Sequence, residues 1–158
     1  QARKAPARGH GLITLACPFH LAFPVRDLDT TRWFYGDLLR CRMGRNAPTW
    51  QDFDFFGHQL SAHLTPAVAA GDGAVDGKVV PIPHFGAVLD MEAWRSLADR
   101  LAAEGVDFLL DPQIRFAGDP AEQGTFFLRD PSGNAIEFKG FRDEAAIFAI
   151  DPASGAGA

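Results

Sequence analysis

Cysteine is scarce: Cys17 and Cys41 are the only two in 158 residues. Two thiols cannot build the disulfide framework of a small secreted fold, and both are read as free thiols in a reducing, cytoplasmic setting. Tyrosine is scarcer, with Tyr35 alone. No stretch approaches the roughly 18 uninterrupted apolar residues of a membrane-spanning helix. A basic surplus is missing too. Fifteen Lys and Arg against 20 Asp and Glu give a net charge of −5 and a pI near 5.4, which argues against a general nucleic-acid binder. The 16 glycines and 11 prolines stay below the roughly 25–30% share of low-complexity chains. What remains is ordinary for a globular protein: 47% hydrophobic and 22% charged residues. The length suits one domain or two small fused modules and buries a core without staples.

At the N-terminus, Arg3, Lys4 and Arg8 precede the apolar run Leu12–Cys17. At about six residues it is shorter than the 7–15 of a secretory core. Residues 1–16 are read as a basic flexible arm. The pattern then divides the chain: a first module at 17–65, a Gly-rich linker at 66–80, a second module at 81–142, and a C-terminal tail at 143–158.

Both modules follow one plan. In the first, Phe19, Leu21, Phe23 and Val25 alternate with His20, Ala22 and Pro24, the period of a half-buried strand. Asp27 and Asp29 are candidate N-caps for a helix running to about Leu39, and Phe34 and Leu38 share one of its faces. Strands are expected at 40–46, 49–55 and 58–65, the last two joined at Gly57-His58. In the second, 83–89 is a strand and Asp90 caps a helix carrying Trp94, Leu97 and Leu101. Gly105 suits the position just past its end. Strands at 107–116, 124–129 and 134–140 follow, the last two separated by the turn Asp130-Pro131-Ser132-Gly133-Asn134. The expected fold class is α+β: strand, helix, three strands, twice over, with helices outside curved sheets.

Four ionisable residues stand out. His20, His63, His84 and Glu137 each lie on the strand face opposite the bulky apolar residues. The small, polar face they share can line a cavity. Imidazoles and a carboxylate suit a borderline divalent ion, and two His plus one carboxylate with open positions suit non-haem Fe(II). Taken singly, such residues more often make hydrogen bonds or reach solvent. It is their recurrence at matching ends of a repeated unit that points to a site.

The segments Phe19–Leu28, Phe34–Leu39, His84–Gly86 and Phe127–Phe138 resemble the vicinal oxygen chelate superfamily. Its members include glyoxalase I, fosfomycin-resistance enzymes, bleomycin-resistance proteins and extradiol dioxygenases. The likeness covers about residues 18–142. Its most specific part is the closing hairpin, Asp130-Pro131-Ser132-Gly133-Asn134-Ala135-Ile136-Glu137. The stretch Asp52–Gln59 is most similar to predicted extradiol-type dioxygenases. The resemblance implies two βαβββ modules forming a cupped, partly open barrel, the glyoxalase/dioxygenase-like fold, around one divalent ion. Fe(II) or Mn(II) is favoured, with Ni, Zn or Co as alternatives. It implies His20, His84 and Glu137 as metal ligands and places His63 at the remaining symmetry-related position, as a fourth ligand or as an acid/base. A homodimer is implied as well, in some relatives with the site built across it.

Three activities follow from the resemblance. An extradiol-type dioxygenase would take a small catechol-like substrate, with His63 handling a proton, which imidazole does near neutral pH. Phe53, Phe55 and Trp50 would then be an aromatic wall or simply core. Such enzymes usually add a Tyr and a further His beside the metal. Here the sole Tyr is on the first helix and no His follows His84. A glyoxalase-like lyase or isomerase would use the ion to polarise a carbonyl and Glu137 as base. A metal-free drug-binding protein of the bleomycin-resistance kind would have lost its ligands, whereas here they are intact. Lys139 and Arg115 could meet an anionic substrate or lie at a solvated strand edge. A small-molecule substrate is expected, with neither nucleic acid nor membrane as partner.

Overall fold

The computed structural model describes residues 17–66, 71–75 and 78–148; the N-terminal arm and the end of the tail lie outside them. The first module runs β1 (His20–Val25), α1 (Leu28–Arg32), β2 (Arg42–Ala47), β3 (Trp50–Phe55) and β4 (His58–Leu64). The stretch expected to be a linker holds a two-stranded hairpin, β5 (Gly71–Val75) and β6 (Lys78–Ile82). The second module runs β7 (His84–Asp90), α2 (Met91–Ala103), β8 (Leu110–Arg115), β9 (Gln123–Arg129) and β10 (Ala135–Phe141). A short 3-10 turn, Glu144–Phe148, begins the tail.

The repeat expected from sequence is present as two four-stranded mixed sheets, ordered β1-β4-β3-β2 and β7-β10-β9-β8. In each, the first and last strands of the module pair parallel and the rest antiparallel. Parallel neighbours need a crossover connection, and here the helix with the two intervening strands supplies it. The fold is α+β, with curved sheets that do not close.

Local chemistry sets the helices. The Asp27 carboxylate accepts from the Thr30 amide at 2.7 Å, which caps α1 and holds that carboxyl below its ordinary range. The helix continues past Arg32 as a wider π turn, Trp33–Leu38. Asp90 caps α2 through the Ala93 amide at 2.8 Å. Gly105, at φ 73°, takes the left-handed position after its end.

The helix sides of the two sheets pack into one core. Phe23, Phe53, Phe55 and Leu60 of the first module join Phe126, Leu128, Ile136 and Phe138 of the second. Phe23 and Phe85 rings lie 5.2 Å apart, Phe55 and Phe138 5.9 Å. Trp94 of α2 lies flat in a slot made by Gly124 and Gly140, where any Cβ would strike its ring. Its indole N–H donates to the Phe138 carbonyl at 3.0 Å. Arg100 of α2 donates to the Leu38 carbonyl at 2.7 Å, meeting an orphan acceptor at the first helix's end.

The Asp130–Asn134 turn does more than reverse the chain. Asp130 is buried. It accepts from the Ser132 and Asn134 amides at 2.9 and 2.8 Å, and from the Tyr35 hydroxyl at 3.0 Å. The Asn134 side-chain amide donates to the Pro24 carbonyl at 2.9 Å, and the Arg26 amide donates to Ser132 Oγ at 2.9 Å. This turn ties the second module to the end of β1. Burial, and then the Asp130 carboxylate beside it, push the Tyr35 hydroxyl well above its ordinary range.

Candidate metal centre

Strand alternation sends one side-chain set into the shared core and the other to the opposite face. His20, His63, His84 and Glu137 all belong to the second set, as expected. Where along the strands each one lies is decided by register. Glu137 pairs with Gly86, two residues beyond His84, which pairs with Ala135. In the first module His20 pairs with Gln59, and Ala22, two residues on, pairs with Ser61. The position matching Glu137 is therefore Ser61. His63, expected there, pairs with Pro24 and matches Lys139, which pairs with Val88. His63 thus lies on the expected face, one strand period beyond the row that corresponds to Glu137.

His84 and Glu137 meet. His84 Nε2 is 3.2 Å from Glu137 Oε2. The ring's Nδ1 lies 2.7 Å from the Pro81 carbonyl oxygen, an acceptor only, so Nδ1 carries the proton and donates it. That leaves Nε2 as the ring nitrogen that faces the carboxylate. Thr125 Oγ1 donates to Glu137 Oε1 at 2.8 Å and fixes the carboxylate so that Oε2 faces His84. Phe127 packs edge-on against the imidazole, with centroids 5.0 Å apart. Gly86 lets the parallel strands close up, since a Cβ there would overlap the Glu137 carbonyl. Lys139 Nζ is 3.8 Å from Glu137 Oε2. The Glu137 side chain is only 13% exposed.

This donor pair fits a divalent ion. An ion bound at about 2.1 Å from an imidazole nitrogen and a carboxylate oxygen leaves those ligands about 3 Å apart, close to the separation seen here. A histidine ligand whose other ring nitrogen donates to a carbonyl is the usual arrangement around metals. His20 and His63 are not brought to this pair. Both are exposed on the first module's sheet, and among the described residues no three His, Cys, Asp or Glu side chains gather at metal-binding distance. With the helix sides fused into one core, the ligand-bearing faces are the sides turned away from it.

The same face of the first module carries a second polar cluster. Asp52 of β3 is buried. It accepts from Ser61 Oγ at 2.5 Å and Gln59 Nε2 at 3.1 Å, with Arg45 at 3.6 Å. The missed signal was Ser61, one strand over on the same face. Trp50 also lies on this face, paired with His63, while Phe53 and Phe55 are core. Of these three aromatics only Trp50 shares the face of His63. Tyr35, buried against Asp130, is no part of this face. A cavity of about 360 Å³ opens between Asp52, Asp54, Arg42, Arg45 and Gln59, in the row of His20. Pro81 and Thr125, which hold His84 and Glu137, were not singled out by sequence. Thr125 could have been found by counting two residues back from Phe127 along β9.

The sequence profile of the Glyoxalase/Bleomycin resistance protein/Dioxygenase superfamily matches residues 18–138. The chain belongs to this superfamily. A glyoxalase/bleomycin resistance protein/dioxygenase from Alicyclobacillus acidocaldarius is 34% identical, with a TM-score of 0.69 over 87% of this chain and 100% of that one. A lactoylglutathione lyase from Agrobacterium tumefaciens is 18% identical, with a TM-score of 0.59 over 87% of this chain and 99% of that one. A glyoxalase/dioxygenase from Nostoc punctiforme is 17% identical, with a TM-score of 0.59 over 90% and 100%. The last two share the fold. No match is found among curated proteins. The superfamily thus spans lyases and dioxygenases. No helix of the described residues is long and apolar enough to cross a membrane.

Proposed function

We propose that this superfamily member is a metal-dependent enzyme of the extradiol dioxygenase type, acting on a small catechol-like substrate. Its site would be completed between two copies of the chain. The supporting observation is the His84–Glu137 pair, 3.2 Å apart with both side chains fixed by Pro81 and Thr125. His20 of one copy would join His84 and Glu137 of the other as the third ligand. The exposure of His20, away from the His84–Glu137 pair of its own chain, favours such a homodimer. A divalent ion, Fe(II) or Mn(II) in this reading, supplies Lewis acidity, a chelation point for two vicinal oxygens and access to electrons for O₂.

The chain's own residues do the rest. Ser61, not a metal ligand by residue type, takes the position matching Glu137, and its hydroxyl is already given to Asp52. That leaves three protein ligands and open positions, which favours the dioxygenase over a four-ligand glyoxalase. His63, one strand period beyond, is free of a ligand role and can accept and return a substrate hydroxyl proton at an imidazole nitrogen. Trp50 beside it offers a face for an aromatic ring.

The test is metal content after chelator-free purification, with Fe(II) reconstitution and an oxygen-electrode screen of catechols. Stoichiometric metal and catechol-dependent oxygen uptake are expected, with metal lost from His20→Ala, His84→Ala and Glu137→Ala while the fold persists. Bound Ni, Zn or Co without oxygen uptake would turn the reading to a lyase or isomerase. Wild-type metal content in the three variants would remove the site assignment. Failure to take up any metal would leave a binding protein of the bleomycin-resistance kind.

A further inference from the structure

We infer that Lys139 makes this site selective for substrates carrying an anionic group, a carboxylate in the simplest case, beyond their chelating oxygens. The inference rests on the reading of His84 and Glu137 as metal ligands and names the substrate class for that site.

Three observations carry it. First, Lys139 shares a face with Glu137 on β10, one strand period from it and on the far side from His84, so a substrate extending along the strand from the ligand pair reaches it. Second, its ammonium is 3.8 Å from Glu137 Oε2, the same oxygen that faces His84. A single carboxylate cannot neutralise both a dication and an ammonium. With the ion in place, two cationic centres compete for Glu137, and a further anion is what relieves them. Third, the ammonium is accessible. The Lys139 side chain is 43% exposed, and its row across the sheet holds Val88, Thr125 and Gln113, none of them acidic. Arg115 follows on the same face one period further along β8. A ligand leaving the metal pair in this direction meets the Lys139 ammonium and a half-exposed Val88 first; the next row holds both Arg115 and Asp90.

The ligand pair chosen for the test is 3,4-dihydroxybenzoate and 4-methylcatechol, which share the diol and differ in the carboxylate. Both are titrated calorimetrically into Mn(II)-loaded wild type, Lys139→Met and Lys139→Arg. Wild type should prefer the carboxylate ligand by about tenfold or more, the scale of one charge-assisted hydrogen bond. Lys139→Met should abolish the preference by weakening only the carboxylate ligand, and Lys139→Arg should keep most of it. Equal affinities in wild type overturn the inference. So does a Lys139→Met variant that weakens both ligands alike, or that alters Mn(II) affinity and leaves discrimination intact, since Lys139 would then be only a counter-ion for Glu137. Absence of oxygen uptake with either diol sinks the dioxygenase reading while the binding comparison stands. If neither diol binds, the metal-site reading fails, and benzoate against benzyl alcohol decides the anion preference: a Lys139-dependent preference for benzoate upholds it, and none ends it.

Discussion

Two carboxylates on the open faces of this protein have different surroundings and different uses. Asp52 is enclosed by Ser61, Gln59 and Arg45, so its charge is spent on neighbours and serves the sheet. Glu137 has one oxygen committed to Thr125 and the other turned to His84 and Lys139; it is held in place with a coordination position to give. The two thiols differ as sharply. Cys17 is exposed and Cys41 buried. Burial, helped by the nearby Asp54 carboxylate, pushes the Cys41 thiol up to about 12. The thiolate is the reactive form, so iodoacetamide at mildly alkaline pH should modify Cys17 alone, read by mass spectrometry. Cys41 should react only after denaturant is added; two modified thiols in the folded protein would contradict its placement in the core.

At the level of the element, the closing turn of the second module is the joint. Replacing Asp130 by Ala strands the Tyr35 hydroxyl and the Ser132 and Asn134 amides, at a cost of about 3 kcal/mol in urea unfolding. The same contact gives a pH prediction. The folded Tyr35 value is raised above that of the unfolded chain, so its contribution to stability is fully present below the ordinary value of 10.0. It is lost as pH climbs from there toward the folded value. Phenolate absorbance, which in this chain reports one tyrosine, should appear only together with loss of tertiary structure. Titration of a folded species at the ordinary value would show that Tyr35 is not buried. Much of this element structure was legible in the sequence. Alternation of Phe19–Val25 gave β1, Asp27 and Asp90 gave the helix starts, and Asp130–Asn134 gave the turn. The pairing of β5 with β6 was not, because β5 is rich in glycine and Pro81 interrupts the apolar run of β6, so neither carries an amphipathic period. Nor was the row of His63. A period of two fixes which face a side chain takes, and a slip of two residues leaves that face unchanged. Only the strand pairing tells Ser61 from His63.

For the whole molecule, one core serves both modules, and that arrangement decides where a complete site can form. If His20 acts on the partner's His84 and Glu137, mixed dimers of His20→Ala and Glu137→Ala chains hold one intact site and one doubly broken site. Co-expressed chains should then bind up to half the wild-type metal per dimer, although each variant alone binds little. No recovery in the mixed dimer would place the ligands within one chain and count against the shared site. The fused core has a further consequence for descent with change. If the proposed site is right, the strands hand alternate residues to two independent selections: Phe23, Phe126 and Phe138 answer to packing, while positions 20, 63, 137 and 139 answer to chemistry. A lineage can rewrite the second set without disturbing the first, and a library randomised at those four positions alone should yield mostly folded proteins with divergent ligand preferences.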